Sequence, residues 1–298
     1  MKDQNEKKNR LLPFEEAAAA IVMWGTMPTV TKLLMNQMDP MLALMFTSLF
    51  ASLILFFYNV ATGRFKKAGR IPGKVLLRMT LIGSLGVFFY NLFYFTGTVT
   101  LSAQTAYIIN DLWPALIIVF SCLILKEKMT LGKGLAILMS FIGIVVVTTG
   151  GHFRDTGNLD PAGVLFCLSA AVSYGLYSVL NKRESYDKGI AVFIAYATAT
   201  AAALIGVLLG GKLRPLDGVE LFGTAFSGIV CNGLPYLLWA MALEGGSVAV
   251  IANFAYLTPV ISLVITHFVL GESVTLWSLF GTVLIVSGIF VQFLADRK

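Results

Sequence analysis

Histidine is nearly absent, with two in 298 residues, and cysteine occurs three times. Cys122, Cys167 and Cys231 all lie in apolar runs with no CxxC or other ligand spacing, so they read as small hydrophobes and not as a disulfide framework. His152 stands in a loop and His267 alone in an apolar stretch, which leaves no cluster for a metal centre. No HExxH, GxSxG or phosphate-cradling glycine loop occurs, so hydrolase chemistry and ATP-driven pumping lack their usual machinery. Neither catalytic residues nor a cofactor are expected. Charge is scarce as well: 13% of residues are charged against 57% hydrophobic, with a mean hydropathy of +0.81, a balance that a water-soluble domain cannot carry. The net charge of +6 could point to nucleic acid, but in a membrane chain the placement of cations matters more than their sum, and no nucleic-acid partner is expected.

What the chain does have is apolar length. A membrane span needs about 20 mostly apolar residues. On that ruler ten spans fall near 17–35, 41–60, 75–96, 102–125, 132–149, 161–181, 189–209, 219–242, 248–270 and 276–294. The longest connection between them is 61–74, so no soluble catalytic domain fits. With the amino terminus inside, eighteen of the 22 Lys and Arg residues fall on the cytoplasmic side, and only Lys32, Arg154, Lys212 and Arg214 fall opposite. This asymmetry predicts a multi-pass protein of the plasma (inner) membrane with both termini cytoplasmic. The polar amino terminus has no small-residue cleavage pattern, so the first span is expected to serve as the insertion signal.

The second half of the chain repeats the first. At an offset of 145, Ser102 meets Ser247, Pro114 meets Pro259, Glu127 meets Glu272 and Gly143 meets Gly288. Nearer the start of each half the offset is 150, pairing Gly25 with Gly175 and Lys32 with Lys182. The expected fold is an all-α membrane protein of ten transmembrane helices in two inverted five-helix repeats, because five spans per copy is odd and the second copy must start on the other side. The expected units are a cytoplasmic tail 1–16, a first repeat 17–149, an extracytoplasmic linker 150–160, a second repeat 161–294 and a tail 295–298. Inverted repeats are a signature of secondary transporters, whose substrate sites lie near the midplane where the copies meet.

The stretch 107–125 stands out within this frame because it is long enough to span yet carries Asn110, Asp111 and Pro114. Tyr107, Asn110, Asp111 and Pro114 share a helical face by spacing. An acid at that depth is by default a site candidate, since an ionised carboxylate in hydrocarbon costs at least a few kcal/mol. Further aromatic and polar residues recur at helical spacing: Trp24, Tyr90 with Tyr94, Tyr174 with Tyr177 and Ser178, Tyr236 with Trp239, and Asn253 with Tyr256. The fifth and tenth spans are plainer and are placed at the periphery, against lipid or another subunit.

Glu127 in LILKEKMTLGKGLAILMSFIGIVV and Glu272 in FVLGESVTLWSLFGTVLIVSGIFV give a paired pattern that resembles the EamA-type permeases of the drug/metabolite transporter superfamily. Within them NDLWP at 110–114, YGLYSVLNKR at 174–183 and YLLWAMALEGGSVAVIANFAYLTP at 236–259 are similar to the aromatic amino-acid exporters. The resemblance covers essentially the whole chain. It implies ten spans, termini inside, a central cavity lined by both repeats, and export of amino acids or similar metabolites. One departure stands in the motif, where that subgroup has an aromatic residue and this chain has Asp111.

The candidate substrate-binding set is therefore Trp24, Tyr90, Tyr94, Tyr107, Asn110, Asp111, Tyr174, Tyr177, Ser178, Tyr236, Trp239, Asn253 and Tyr256. Asp111 attracts an ammonium group aided by cation–π contacts, carries a proton, or is neutralised by a lysine or by helix ends. Asn110 and Asn253 bind a substrate's polar groups or bridge helices. The aromatics line a cavity or pack, and Trp113, off the Asp111 face, is assigned to packing. Lys32 and Lys182 are expected to snorkel to opposite interfaces, and Glu127 and Glu272 to bond to amides at the start of the following helix. Pro28, Pro114, Pro235 and Pro259 mark bends in both repeats. The leading expectation is an exporter of small amphipathic metabolites working by alternating access as a monomer or homodimer. Carriage of choline-like organic cations by Asp111 and an aromatic cage is the alternative, and a receptor that binds without transport is the reading from another class.

Overall fold

The computed structural model describes residues 2–27, 30, 31, 34, 38–101, 103–149, 160–270 and 275–296, and among them all regular structure is helical. In chain order the helices are α1 (Lys2–Gly25), α2 (Pro40–Ala61), the short α3 (Arg64–Ala68), α4 (Gly73–Thr100), α5 (Ala103–Asn110), α6 (Trp113–Ile124) and α7 (Leu131–Thr149). They continue as α8 (Pro161–Arg183), α9 (Lys188–Leu209), α10 (Gly218–Gly245), α11 (Val248–Phe254), α12 (Thr258–Leu270) and α13 (Leu276–Asp296). By length and hydropathy α2, α4, α8, α9 and α10 can each cross a membrane, and the apolar stretches Ile108–Ile124, Leu131–Val147, Val248–Ser262 and Leu279–Val291 are shorter.

Four of the long helices begin at an aspartate. Asp39 and Asp160, each followed by a proline in the first turn, accept bonds from the amides of α2 and α8, Asp187 accepts from the Ile190 amide at 3.1 Å, and Asp217 with Glu220 closes a capping box on α10. Each cap satisfies amides that a helix start leaves open, an effect of about 1 kcal/mol. Asp39 also bonds Lys212 at 2.6 Å, tying the connection before α2 to the one after α9. Burial pushes the Asp39 carboxyl up, but the Lys212 bond and the amide bonds outweigh it and hold its pKa below 3.8. On the other side Arg64 bonds Asp187 at 2.7 Å and lies over the Tyr58 ring.

The segment expected as a tail is helical from Lys2 and runs into the first span without a break, with Pro13 inside it. Two expectations change. The spans 102–125 and 248–270 are not continuous: the first breaks at Asp111 and Leu112, and the second passes through a 3-10 turn, Ala255–Leu257. The reason is the proline that follows each break, Pro114 and Pro259, which has no amide for the carbonyl four residues earlier. Pro28, Lys32, Glu272, the tail residues 297 and 298, and the expected linker apart from Asp160 lie outside the described residues.

The halves pack into each other. α2 lies on α9, α7 on α13, α4 on α8, and α1 on α10. Exchanging the halves maps this set onto itself: the first two pairs are unchanged and the last two swap. α7 and α13 meet backbone to backbone, since a Cβ on Gly143 or Gly281 would stand 2.7 Å from the other's carbonyl oxygen. Their remaining faces are exposed and apolar, including Leu138, Ile142, Phe280 and Val283. The central core is aromatic and small-residue rich, with Trp24, Tyr174, Tyr196, Tyr236 and Trp239 among the buried side chains.

Candidate functional site

Backbone irregularities build the site. In addition to the breaks before Pro114 and Pro259, α4 and α10 each contain a π-helical turn, Leu85–Phe89 and Ser227–Gly233. Such turns are frequent at functional sites because they expose backbone carbonyls and re-aim side chains. In α10 the cause is legible. Pro235 has no amide to offer Cys231, whose carbonyl instead accepts the Trp24 indole N–H at 3.1 Å. The Tyr236 hydroxyl reaches the Gly86 carbonyl in the other π-turn at 3.4 Å. The Tyr177 ring occupies the place where a Cβ on Gly86 would be, so this close approach requires glycine. Each π-turn is thus contacted by an aromatic donor from the other half of the chain.

Between these elements lies a cavity of about 60 Å³. That is several times the roughly 10–15 Å³ needed to hold one water. Seven of the expected residues line it: Trp24, Tyr90, Tyr94, Asn110, Asp111, Tyr174 and Tyr236. The rings form one continuous wall. Trp24 stands 6.2 Å from Tyr174 and 6.0 Å from Tyr236, both edge-on, Tyr174 lies 5.2 Å from Tyr90, and Tyr90 stacks on Tyr94 at 6.1 Å. Edge-on pairs of this kind contribute about 0.5–1.5 kcal/mol each beyond simple burial.

The polar groups sit at the break in the span. Asn110 ends α5, Asp111 falls in the turn, and both are buried against the cavity. Asn110 donates its amide to the Tyr90 hydroxyl at 3.2 Å, which leaves its Oδ1 as a buried acceptor without a protein partner. The Tyr174 hydroxyl is likewise buried without one. The Asp111 carboxyl lies near Tyr90, Tyr94 and Tyr256, and it is the one acidic side chain among the described lining residues.

The remaining expected residues separate into two groups. Tyr177, Ser178 and Trp239 stand about one helical turn beyond the lining on α8 and α10, buried, with Tyr177 5.8 Å from Tyr174 and Trp239 5.3 Å from Trp24. Asn253 and Tyr256 do not line the cavity: Asn253 donates to the Gly288 carbonyl at 3.3 Å, bridging α11 to α13, and Tyr256 packs with Ile144, Val147 and Ile285. The Tyr107 side chain lies outside the described residues.

Trp113 is a correction. It lines the cavity and stands 5.7 Å from Trp24 and 5.1 Å from Tyr174. Periodicity put it on another face only because a continuous helix was assumed, and the break at Asp111 changes its direction. Pro114 was the available signal. Met27, Thr31 and Thr258 also line the cavity, and no sequence pattern marked them. Lys182 does not snorkel: its ammonium donates to the Leu243 and Gly246 carbonyls at the end of α10. Glu127 accepts from the Ser121 hydroxyl on α6 at 3.3 Å, and Thr130, not Glu127, receives the Lys133 amide at the start of α7.

Comparison with known proteins places this geometry in a family. An uncharacterized transporter of Archaeoglobus fulgidus is 25% identical over 92% of this chain and 96% of its own length. The aromatic amino acid exporter YddG of Ancylobacter novellus is 26% identical over 82% of this chain and 83% of its own, and that of Salmonella typhimurium 24% over 94% and 96%. A solved crystal structure at 24% identity superposes with a TM-score of 0.82 over 98% of both chains, which shows a shared fold. The EamA-like transporter family matches residues 17–149 and again residues 161–294. The chain belongs to the EamA-like transporter family and is a multi-pass membrane transport protein.

Proposed function

We propose that this chain is a secondary transporter of the plasma membrane that exports amino acids or similar small amphipathic metabolites by alternating access. It does so as ten spans in two inverted five-span repeats, with both termini cytoplasmic. The exchange-symmetric packing, the breaks before Pro114 and Pro259, and the π-turns in α4 and α10 support two equivalent halves. The family's two matches along the chain support the same reading. It works as a monomer or homodimer, with the outer faces of α7 and α13 meeting lipid or a second copy.

The observation that carries the substrate reading is one carboxylate, Asp111, set at a break in a span and facing a cavity walled by Trp and Tyr rings. Asp111 attracts the substrate's ammonium, the rings hold its apolar body, and the Asn110 Oδ1 and Tyr174 hydroxyl take hydrogen bonds. Desolvated cation–π contacts of up to about 2 kcal/mol strengthen the grip. The two exporters named above, described as acting on aromatic amino acids, make an aromatic zwitterion the first substrate to try.

The test is efflux of labelled L-phenylalanine from proteoliposomes. Flux proportional to purified protein is expected, with a fall of tenfold or more in Asp111→Asn. Absence of flux with every amino acid tried refutes the reading and favours a receptor. The same cavity supports organic cations as a second reading. Choline-like amines competing while zwitterions do not would establish it, and intact zwitterion flux in Asp111→Asn with no competing cation would exclude it.

A further inference from the structure

One helical turn beyond the cavity, three buried polar groups have no partner: the Tyr177 hydroxyl, the Ser178 hydroxyl and the Trp239 indole N–H, in residues only 3%, 2% and 1% exposed. Buried polar atoms are nearly always bonded, so three together need a reason. They are displaced in one direction. Tyr177 and Ser178 follow Tyr174 toward the Arg183 end of α8, and Trp239 follows Tyr236 toward the Gly245 end of α10. Those two ends meet, because Lys182 on α8 donates to the Leu243 and Gly246 carbonyls that finish α10. Between the three groups and the cavity stands the ring layer, with Tyr174 5.3 Å from Tyr236 and Trp113 5.3 Å from Trp239.

The chemistry differs on the two sides of that layer. The cavity holds two groups that only accept, the Asp111 carboxylate and the Asn110 Oδ1, beside the Tyr174 hydroxyl. Beyond it the indole N–H can only donate, and both hydroxyls have a proton to give. We propose that Tyr177, Ser178 and Trp239 form an inner subsite that takes the carboxylate of an amphipathic zwitterion entering between the ends of α8 and α10. This rests on the amino-acid reading above and deepens it. In the conformation seen here the subsite is closed, the Lys182 bonds hold α8 to α10, and its donors wait unpaired. When the two helix ends separate, the carboxylate reaches the donors first, and the ammonium and ring then pass on to Asp111 and the aromatic wall.

Two measurements test this on the full-length protein. In Ser178→Cys, a charged membrane-impermeant methanethiosulfonate should modify position 178, read by peptide mapping, only from the face that also modifies the exposed marker Arg183→Cys. Adding Lys182→Met should speed that reaction severalfold. No modification from either face, or modification from the opposite face, overturns the subsite. The second measurement compares L-phenylalanine with phenethylamine, the same body without a carboxylate, in proteoliposomes. Tyr177→Phe should raise KM for L-phenylalanine about tenfold, the cost of one hydrogen bond to a charged group. It should leave phenethylamine competition unchanged and not lower the melting temperature, since the lost hydroxyl is unpaired in the closed state. Equal effects on both compounds overturn the carboxylate assignment. If the unmodified protein moves neither compound, the transport reading fails, while the position-178 modification still decides whether the subsite opens.

Discussion

Replacing Trp24 by phenylalanine isolates the bond between the indole and the Cys231 carbonyl, 3.1 Å long and buried. Phenylalanine keeps an aromatic ring beside Trp113 and Trp239 but removes the side-chain donor that serves that carbonyl among the described residues. The helix amide that would normally replace it is missing, because the residue four positions on is Pro235. A buried carbonyl left unsatisfied costs about 1–3 kcal/mol. The smaller ring adds about 0.5–1.5 kcal/mol in lost packing, as for other modest truncations. The decisive measurement is a double-mutant cycle read by thermal unfolding in detergent. Pro235→Ala restores an amide at the right position, so Trp24→Phe should be less damaging in that background, by a coupling of about 1–2 kcal/mol, within the 0.5–3 kcal/mol seen for residues sharing a bond network. Additivity within about 0.5 kcal/mol would show that the π-turn does not depend on the indole, and the account of its origin would be wrong.

Other consequences of the structure are open to direct measurement. Gly143→Ala puts a methyl 2.7 Å from the Gly281 carbonyl oxygen and should separate α7 from α13 at a cost of about 1–3 kcal/mol; an unchanged melting temperature would contradict the backbone contact. Asn253→Ala removes the bridge to Gly288 and should lower stability by about 1 kcal/mol without changing substrate KM; a change in KM would return Asn253 to the binding site. The Asp39 carboxyl is held below its ordinary 3.8, so its contribution is present above that pH and lost as the pH falls through the lowered value. The stability gap between the unmodified protein and Asp39→Asn should therefore be constant from about pH 7 to 5 and shrink below about pH 4, and a gap that widens on acidification would contradict the assignment.

Much of the helical framework could be read from hydropathy, because lipid demands long apolar runs and satisfied backbones whatever the tertiary packing. The starts of α2 and α8, expected near 41 and 161, fall at Asp-Pro pairs whose aspartates cap the helices. Asp111, Asn110 and the Tyr and Trp set were legible as polar or aromatic residues where few are tolerated. What failed depended on assuming an unbroken 3.6-residue period: the break at Asp111 turned Trp113 into the cavity wall, against expectation. The π-turns left almost no trace, since an extra residue in a helical turn changes register but not composition, and only Pro235 hinted at one of them. Lys182 went astray for a different reason. Its position on the span fits snorkelling equally well, and only the neighbouring helix end supplies the carbonyls that hold it.

The reciprocal grip on the two π-turns also bears on how such a chain can be divided. Cys231 belongs to the second copy and is served by an indole from the first, while Gly86 belongs to the first and is served by a phenol from the second. Severed from its twin, the second copy would carry into hydrocarbon the Cys231 carbonyl without the indole that serves it, and the first would lose the phenol bonded to Gly86. The two stretches that match the family, 17–149 and 161–294, are thereby chemically interdependent, and either one expressed alone should be retained by quality control until its complement arrives.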